Sequence, residues 1–146
     1  MRHAATTVFI CFLLAPAPGW CANSGSTNIA PQDRSFLEEL ERRSVAYFWE
    51  QADHGTGLVL DRASADGGRA KGPSRDIASI AATGFGLTAI CIGAEHGWVK
   101  RDEAAERVRS TLRFFAGKAS NERGWFYHWM DVSNGDRRWD SDSVAD

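Results

Sequence analysis

The sequence has almost no net charge of either sign: 17 Lys and Arg stand against 19 Asp and Glu among 146 residues, a formal net charge of -2 with a pI near 6.1. Such a balance gives no electrostatic footprint for nucleic acid or for an anionic membrane surface. Metal-binding patterns are also lacking. There is no CxxC pair, no HExxH and no EF-hand loop, so neither a metal nor a cofactor is expected. Cysteine is scarce, and of Cys11, Cys21 and Cys91 only the last lies beyond residue 24. A lone thiol inside Ile90-Cys91-Ile92 cannot staple a fold and reads as a buried small hydrophobe. No apolar run reaches the roughly 20 residues that span a bilayer as a helix. What is present is the composition of a folded domain, 43% hydrophobic and 25% charged, with six Trp, eight Phe and two Tyr beside 14 Gly.

The N-terminus carries a processing signal. Arg2 and His3 precede an uncharged apolar run from Ala4 to Ala15, which Pro16, Pro18 and Gly19 break before a polar stretch. This is the pattern of a secretory signal peptide. Residues 1–24 are expected to form the leader, residues 25–34 a polar linker and residues 35–146 the folded part. The product is then periplasmic or secreted, with no membrane association once the leader is removed.

Three helices are predicted in the folded part. Ser35 and Glu38 form a capping box, and Phe36, Leu37, Leu40, Tyr47 and Phe48 share a stripe opposite charged residues, which predicts an amphipathic helix over 35–52. The stretch 58–62 is read as extended and 63–72 as a loop. Residues 76–94 carry no charge after Asp76 and are apolar or small on every face, which predicts a helix buried all round, capped by Ser74 and ended by Gly97. Gly84 or Gly86 would then mark a close helix contact. The third helix, roughly 102–116, turns Ala105, Val108, Leu112 and Phe115 inward, with Arg107 on the wet side.

This order of wet, buried and wet helices predicts an all-α protein. It suits a toroid of helical hairpins, and equally a plain bundle. An aromatic ribbon, Trp125-Phe126-Tyr127-His128-Trp129, follows as a short hairpin or extended loop, with a turn at Ser133-Asn134-Gly135-Asp136. Trp125, Tyr127 and Trp129 alternate along it, so their rings could form a platform for sugar rings, while Phe126 and His128 point the other way. The same alternation describes an edge hairpin packed on helices. His128 is read either as a hydrogen-bonded structural residue or as a proton-transfer group. Residues 139–146 read as the capped start of another helix.

Several ordered segments together resemble a known family. They are Phe36-Leu37-Glu38-Glu39-Leu40 through Tyr47-Phe48-Trp49, Thr56-Gly57-Leu58-Val59-Leu60-Asp61-Arg62, Ile80-Ala81-Ala82-Thr83-Gly84-Phe85-Gly86-Leu87-Thr88-Ala89, Glu103-Ala104-Ala105-Glu106-Arg107-Val108 and Gly124-Trp125-Phe126-Tyr127-His128-Trp129. In order, they resemble the N-terminal part of the bacterial glucoamylase-like glycoside hydrolases, a family that includes endo-β-1,2-glucanases. The resemblance implies an incomplete (α/α)6 toroid comprising the first one or two helical hairpins. It also implies a β-glucan, such as β-1,2-glucan, as the partner molecule, and a truncated, inactive chain, because members of the family are several times longer.

Glycoside hydrolysis needs two carboxylates flanking the scissile bond, one to protonate the leaving oxygen and one to act on the other face of the sugar. The resemblance places acidic residues after the ribbon at the mouth of the active site, which makes Asp142 and Asp146 the catalytic candidates with Asp140 beside them. The family shows Glu, then Ser, then Asp here. Ser143 and Asp146 match, whereas the Glu position falls on Ser141, or on Asp142 if one residue is deleted. Asp140 or Ser141 could equally serve as a helix cap. Asp61, Arg62, Trp125, Tyr127, His128 and Trp129 are the substrate-binding candidates, with Asp61-Arg62 and Arg75-Asp76 otherwise ordinary surface ion pairs. A second reading is a non-catalytic secreted module that binds carbohydrate or a partner protein through the ribbon.

Overall fold

The computed structural model describes residues 29–144, so the leader expected over 1–24, residues 25–28 of the expected linker, and Asp146 lie outside the described residues. The elements run α1 (Pro31–Glu50), β1 (Ile77–Ser79), α2 (Ile80–Glu95), α3 (Arg101–Gly117), β2 (Asn121–Glu122), β3 (Trp125–Phe126) and β4 (Trp129–Asp131), with a single 3-10 turn at Gly72–Ser74.

Helix α1 starts four residues earlier than the capping box predicts. Proline fits a first helical turn, where its missing N–H has no partner to lose. Ser35 is therefore inside the helix, its hydroxyl donating to the Pro31 carbonyl at 3.1 Å instead of capping. The apolar stripe splits in two. Phe36, Leu37 and Leu40 are exposed, while Val45 is buried and the Tyr47 hydroxyl donates to the Leu60 carbonyl at 2.7 Å. Periodicity finds such a stripe but does not say which part of it meets a neighbour.

Residues 77–79, expected as the start of the second helix, form a strand. Ser79, not Ser74, is the N-cap: its backbone is extended and its hydroxyl accepts from the Ala82 N–H at 3.4 Å. Helix α2 packs against both α1 and α3, burying Thr83, Gly86, Ala89, Ile90 and Gly93. Gly86 and Gly93, seven residues apart on one face, admit the side chains opposite. A Cβ at Gly93 would sit 2.7 Å from Val45 Cγ1, and one at Gly86 would sit 3.0 Å from Val59 Cγ2. The far face of α2 is open, contrary to a helix buried all round. Phe85 is 70% exposed, Cys91 is exposed rather than buried, and a Cβ at Gly84 would meet nothing within 4 Å. Two neighbouring helices cover only part of a helix's circumference, and among the described residues no third element covers the rest. Gly97, at φ 73°, does end the helix, with the Trp98 N–H donating back to the Gly93 carbonyl at 2.8 Å.

Helix α3 matches its predicted span, but its buried face is turned by one residue, to Ala104, Arg107, Thr111 and Phe114. Leu112, expected inward, is 52% exposed, and Arg107, expected outward, is 8% exposed. Two local fits fix this rotation. Arg107 finds an aromatic ring to lie on, and Gly57, at φ 74°, leaves room for the Thr111 side chain, with which any Cβ there would collide.

Among the described residues the protein is helix-rich, with three helices and small sheets, rather than all-α. Strands β1 and β4 pair antiparallel, Ile77 with Asp131, Ala78 with Met130 and Ser79 with Trp129. Bridges from Leu60 to Ala78 and from Met130 to Arg137 widen this pair on both edges. The 58–62 segment, expected to be extended, lies on one side of this pair and joins it through the Leu60–Ala78 bridge without forming a strand of its own. The core gathers here, with Leu58, Leu60, Ala78 and Met130 against Phe114, Ala119 and Val132. The helix start expected at 139–146 is absent over the described residues to 144. Instead, Trp139 and Asp140 turn the chain, and Val144 bridges to Tyr127.

Candidate functional site

The aromatic ribbon divides between two ladders. Trp125 and Phe126 form β3, paired with β2, whereas Trp129 belongs to β4, paired with β1. The strict alternation expected along the ribbon therefore breaks at Tyr127 and His128. Phe126 turns inward onto Phe115, ring centroids 4.8 Å apart, and Trp125 is left 58% exposed on the outer hairpin. Tyr127 is half-buried against the core.

His128 and Trp129 instead meet the chain that returns after the 133–136 turn. The His128 and Trp129 ring centroids are 4.3 Å apart, and those of Trp129 and Trp139 are 5.2 Å apart at an interplanar angle of 57°. The His128 N–H donates to the Ser143 carbonyl at 2.8 Å, and the Arg138 N–H donates to the Trp129 carbonyl at 3.0 Å. Arg137 lies over Tyr127, 5.5 Å from the ring centroid, and its Nη1 donates to Asp142 at 2.8 Å. Arg138 donates to Asp131 at 3.1 Å. Burial pushes the Asp131 carboxyl up, but the Ser133 hydroxyl and backbone N–H, together with Arg138, hold it below its ordinary value.

The structure thus brings together Tyr127, His128, Trp129 and Asp142, four of the residues singled out from sequence. Trp125 sits on the separate hairpin. Asp61 and Arg62 lie on the opposite side of β1, where the Asp61 N–H donates to the Ile77 carbonyl at 2.9 Å and Arg62 Nε donates to Asp61 at 2.8 Å. Among the described residues they make no hydrogen bond or ion pair with the ribbon. Arg75 is 3.9 Å from Asp76, which Arg69 engages at 3.0 Å. Asp142 is almost fully exposed and held by Arg137, and Asp146 lies outside the described residues. Sequence reasoning did not single out Trp139 or Arg137 for the site, because both belong to it through the turn that folds 137–144 back on β4. Among the described residues no group of three His, Cys, Asp or Glu side chains could hold a metal ion, and no helix is long and apolar enough to cross a membrane.

No family model matches the chain. In sequence it is 29% identical over 111 residues to the exo-β-1,2-glucooligosaccharide sophorohydrolase (non-reducing end) of Parabacteroides distasonis, a match covering 75% of this chain and 14% of that protein. In fold it is similar to the endo-β-1,2-glucanase of Chitinophaga pinensis, solved with sophorotriose and glucose. That match has 25% identity and a TM-score of 0.66, and covers 74% of this chain and 26% of that one. It is also similar to a "putative glucoamylase" of Bacteroides fragilis, with 28% identity, a TM-score of 0.63 and coverage of 75% of this chain and 25% of that one. The chain therefore spans about a quarter of these solved structures and 14% of the curated relative. The resemblance to glucoamylase-like glycoside hydrolases holds in both sequence and fold.

Proposed function

We propose that this chain supplies the glucan-binding wall of a β-glucan-acting glycoside hydrolase, that β-1,2-linked glucan is its ligand, and that by itself it binds without cleaving. The observation that carries this reading is the match, over about three quarters of the chain, to relatives whose names specify β-1,2-linked glucan, and the ribbon that puts His128 and Trp129 beside Trp139 supplies aromatic surface for it. In this reading the described residues are the first helical hairpins of an (α/α)6 toroid, exported to the periplasm or beyond.

The geometry of the described candidate supports the non-cleaving part of this reading. Inverting hydrolysis needs two carboxylates held about 6.5 to 9.5 Å apart across the glycosidic bond, and retaining hydrolysis about 5 to 5.5 Å. Asp142, the described candidate, is exposed and paired with Arg137 on a turn rather than fixed in a cleft. A carboxylate turned to solvent and already engaged by a guanidinium is poorly placed to act on a glycosidic bond. The full chain, incubated with β-1,2-glucan and with α- and β-1,4-glucan controls, is expected to bind the first by affinity electrophoresis and to release no reducing ends from any. Lack of binding would overturn the glucan reading. Reducing-end release that disappears in Asp142→Asn would overturn the non-cleaving part and make Asp142 catalytic.

A further inference from the structure

Trp139 and Asp140 are consecutive non-glycine residues with left-handed backbones, at φ 59° and 47°. Residues with a Cβ avoid this region, and neither side chain turns inward to compensate. Trp139 is 46% exposed, and Asp140 carries its carboxylate in solvent. The turn is nevertheless fixed. Arg137 ties Asp142 at 2.8 Å and lies 3.8 Å from Asp140, the Ser141 N–H donates to the Arg138 carbonyl at 3.4 Å, and Val144 bridges back to Tyr127. The result is a half-exposed indole stood against Trp129 at 57°, so that two large rings form an open corner.

An indole kept for packing would be buried, yet this one spends backbone strain on staying exposed. Strain of that kind concentrates where a ligand is met. One face of a pyranose ring is lined by C–H groups, and an aromatic ring with an exposed face supplies the apolar, electron-rich surface that such a face stacks on. Asp140 and Asp142, flanking the corner, are acceptors for hydroxyls at the sugar's rim. We propose that Trp139 is a ligand-stacking residue, forming with Trp129 a corner that seats a glucosyl unit, and that the Arg137–Asp142 pair is its positioning device. The proposal rests on the glucan-binding reading above and adds to it a residue that the aromatic ribbon does not contain.

The test leaves the native chain intact. N-bromosuccinimide oxidises exposed indoles, and peptide mass mapping of the full chain reads each tryptophan separately. Saturating sophorotriose is expected to slow oxidation of Trp139 about tenfold relative to Trp98, which lies in the turn between α2 and α3. Trp139→Ala is expected to weaken sophorotriose binding about tenfold by titration calorimetry, and Trp139→Phe to restore part of it. If Trp139→Ala does not fold, the oxidation pattern of the native chain decides. Sophorotriose binding with Trp139 oxidised at an unchanged rate would overturn the proposal while the glucan reading stands. No binding of any glucan would overturn both.

Discussion

The guanidinium of Arg107 lies 4.5 Å from the centroid of the Trp49 ring, and its Nη2 is 3.1 Å from His54 Nδ1. One residue on α3 thereby ties the end of α1 to the turn that follows it. Such a site does not suit an ordinary cation. Arg107 is only 8% exposed, and burial pulls its pKa down, partly offset by Asp53. The ring stack and the hydrogen bond offset that cost. Arg107→Ala is expected to destabilise the chain by about 2 kcal/mol in urea unfolding, from the lost cation–π contact, the lost hydrogen bond and the space left behind. Arg107→Lys should recover less than half, since an ammonium neither stacks flat nor reaches two partners with a planar fork. Equal stability of the native chain and Arg107→Ala would mean that the contact adds nothing.

The glycines of α2 give opposite outcomes at positions that look alike in sequence. Gly84→Ala is expected to stabilise by about 0.5 to 1 kcal/mol, because the added methyl enters open space and the helix loses a flexible residue. Gly93→Ala should destabilise by about 1 to 3 kcal/mol, since its Cβ would press on Val45 Cγ1 at 2.7 Å. Paired thermal melts check both signs.

That contrast marks how far the sequence could be read. The three helices were legible because charge and apolar residues alternate with helical period in α1 and α3, and α2 carries no charge before its last residue, Glu95. The strands were not, because Ile77-Ala78-Ser79 is equally apolar as helix or strand, and only its pairing with Trp129-Met130-Asp131, some fifty residues later, decides. Rotation of α3 was hidden for a related reason: Arg107 is counted as polar until Trp49 and His54 are known to await it. At the candidate site, Tyr127, His128 and Trp129 stood out as an aromatic run. Trp139 entered only through a left-handed turn with no glycine in it to signal it.

Acid should weaken the 131–138 turn in a defined direction. The folded pKa of Asp131 is below its unfolded value, so the stability it contributes is present above about pH 4 and is lost as the pH falls through the depressed value. Asp131→Asn is expected to flatten the fall of the urea midpoint between about pH 5 and 2. Glu39 provides the comparison. Its pKa is lowered to about 2, by hydrogen bonds from Arg42 and then Arg43, but the trio is wholly on the surface. Exposed pairs contribute little, so Glu39→Gln should leave the acid profile nearly unchanged. An Asp131→Asn profile superimposable on the native one would remove the turn from the acid response.

The open face of α2 makes the last prediction. Apolar grooves of about 230 Å³ between α1 and α2 and about 380 Å³ between α2 and α3 flank it, the first lined by Phe48, Phe85 and Ile92, the second by Ile90, Cys91 and Val108. Their linings are mostly apolar side chains in water, with Glu41, Glu95, Arg101 and Arg109 among them, and a largely apolar surface of that kind favours self-association. Two measurements follow from the same geometry. Cys91, on the open face, should be labelled by a maleimide in the native chain, as read by peptide mapping, at a rate close to that in urea. Phe85→Ser should lower light scattering at high protein concentration while changing stability by no more than about 0.5 kcal/mol, because a residue 70% exposed gives up little packing. Protection of Cys91 together with a Phe85→Ser loss of several kcal/mol would mean that in solution this face is already covered, for instance by a second copy of the chain, and the concentration dependence of both readouts would identify that case.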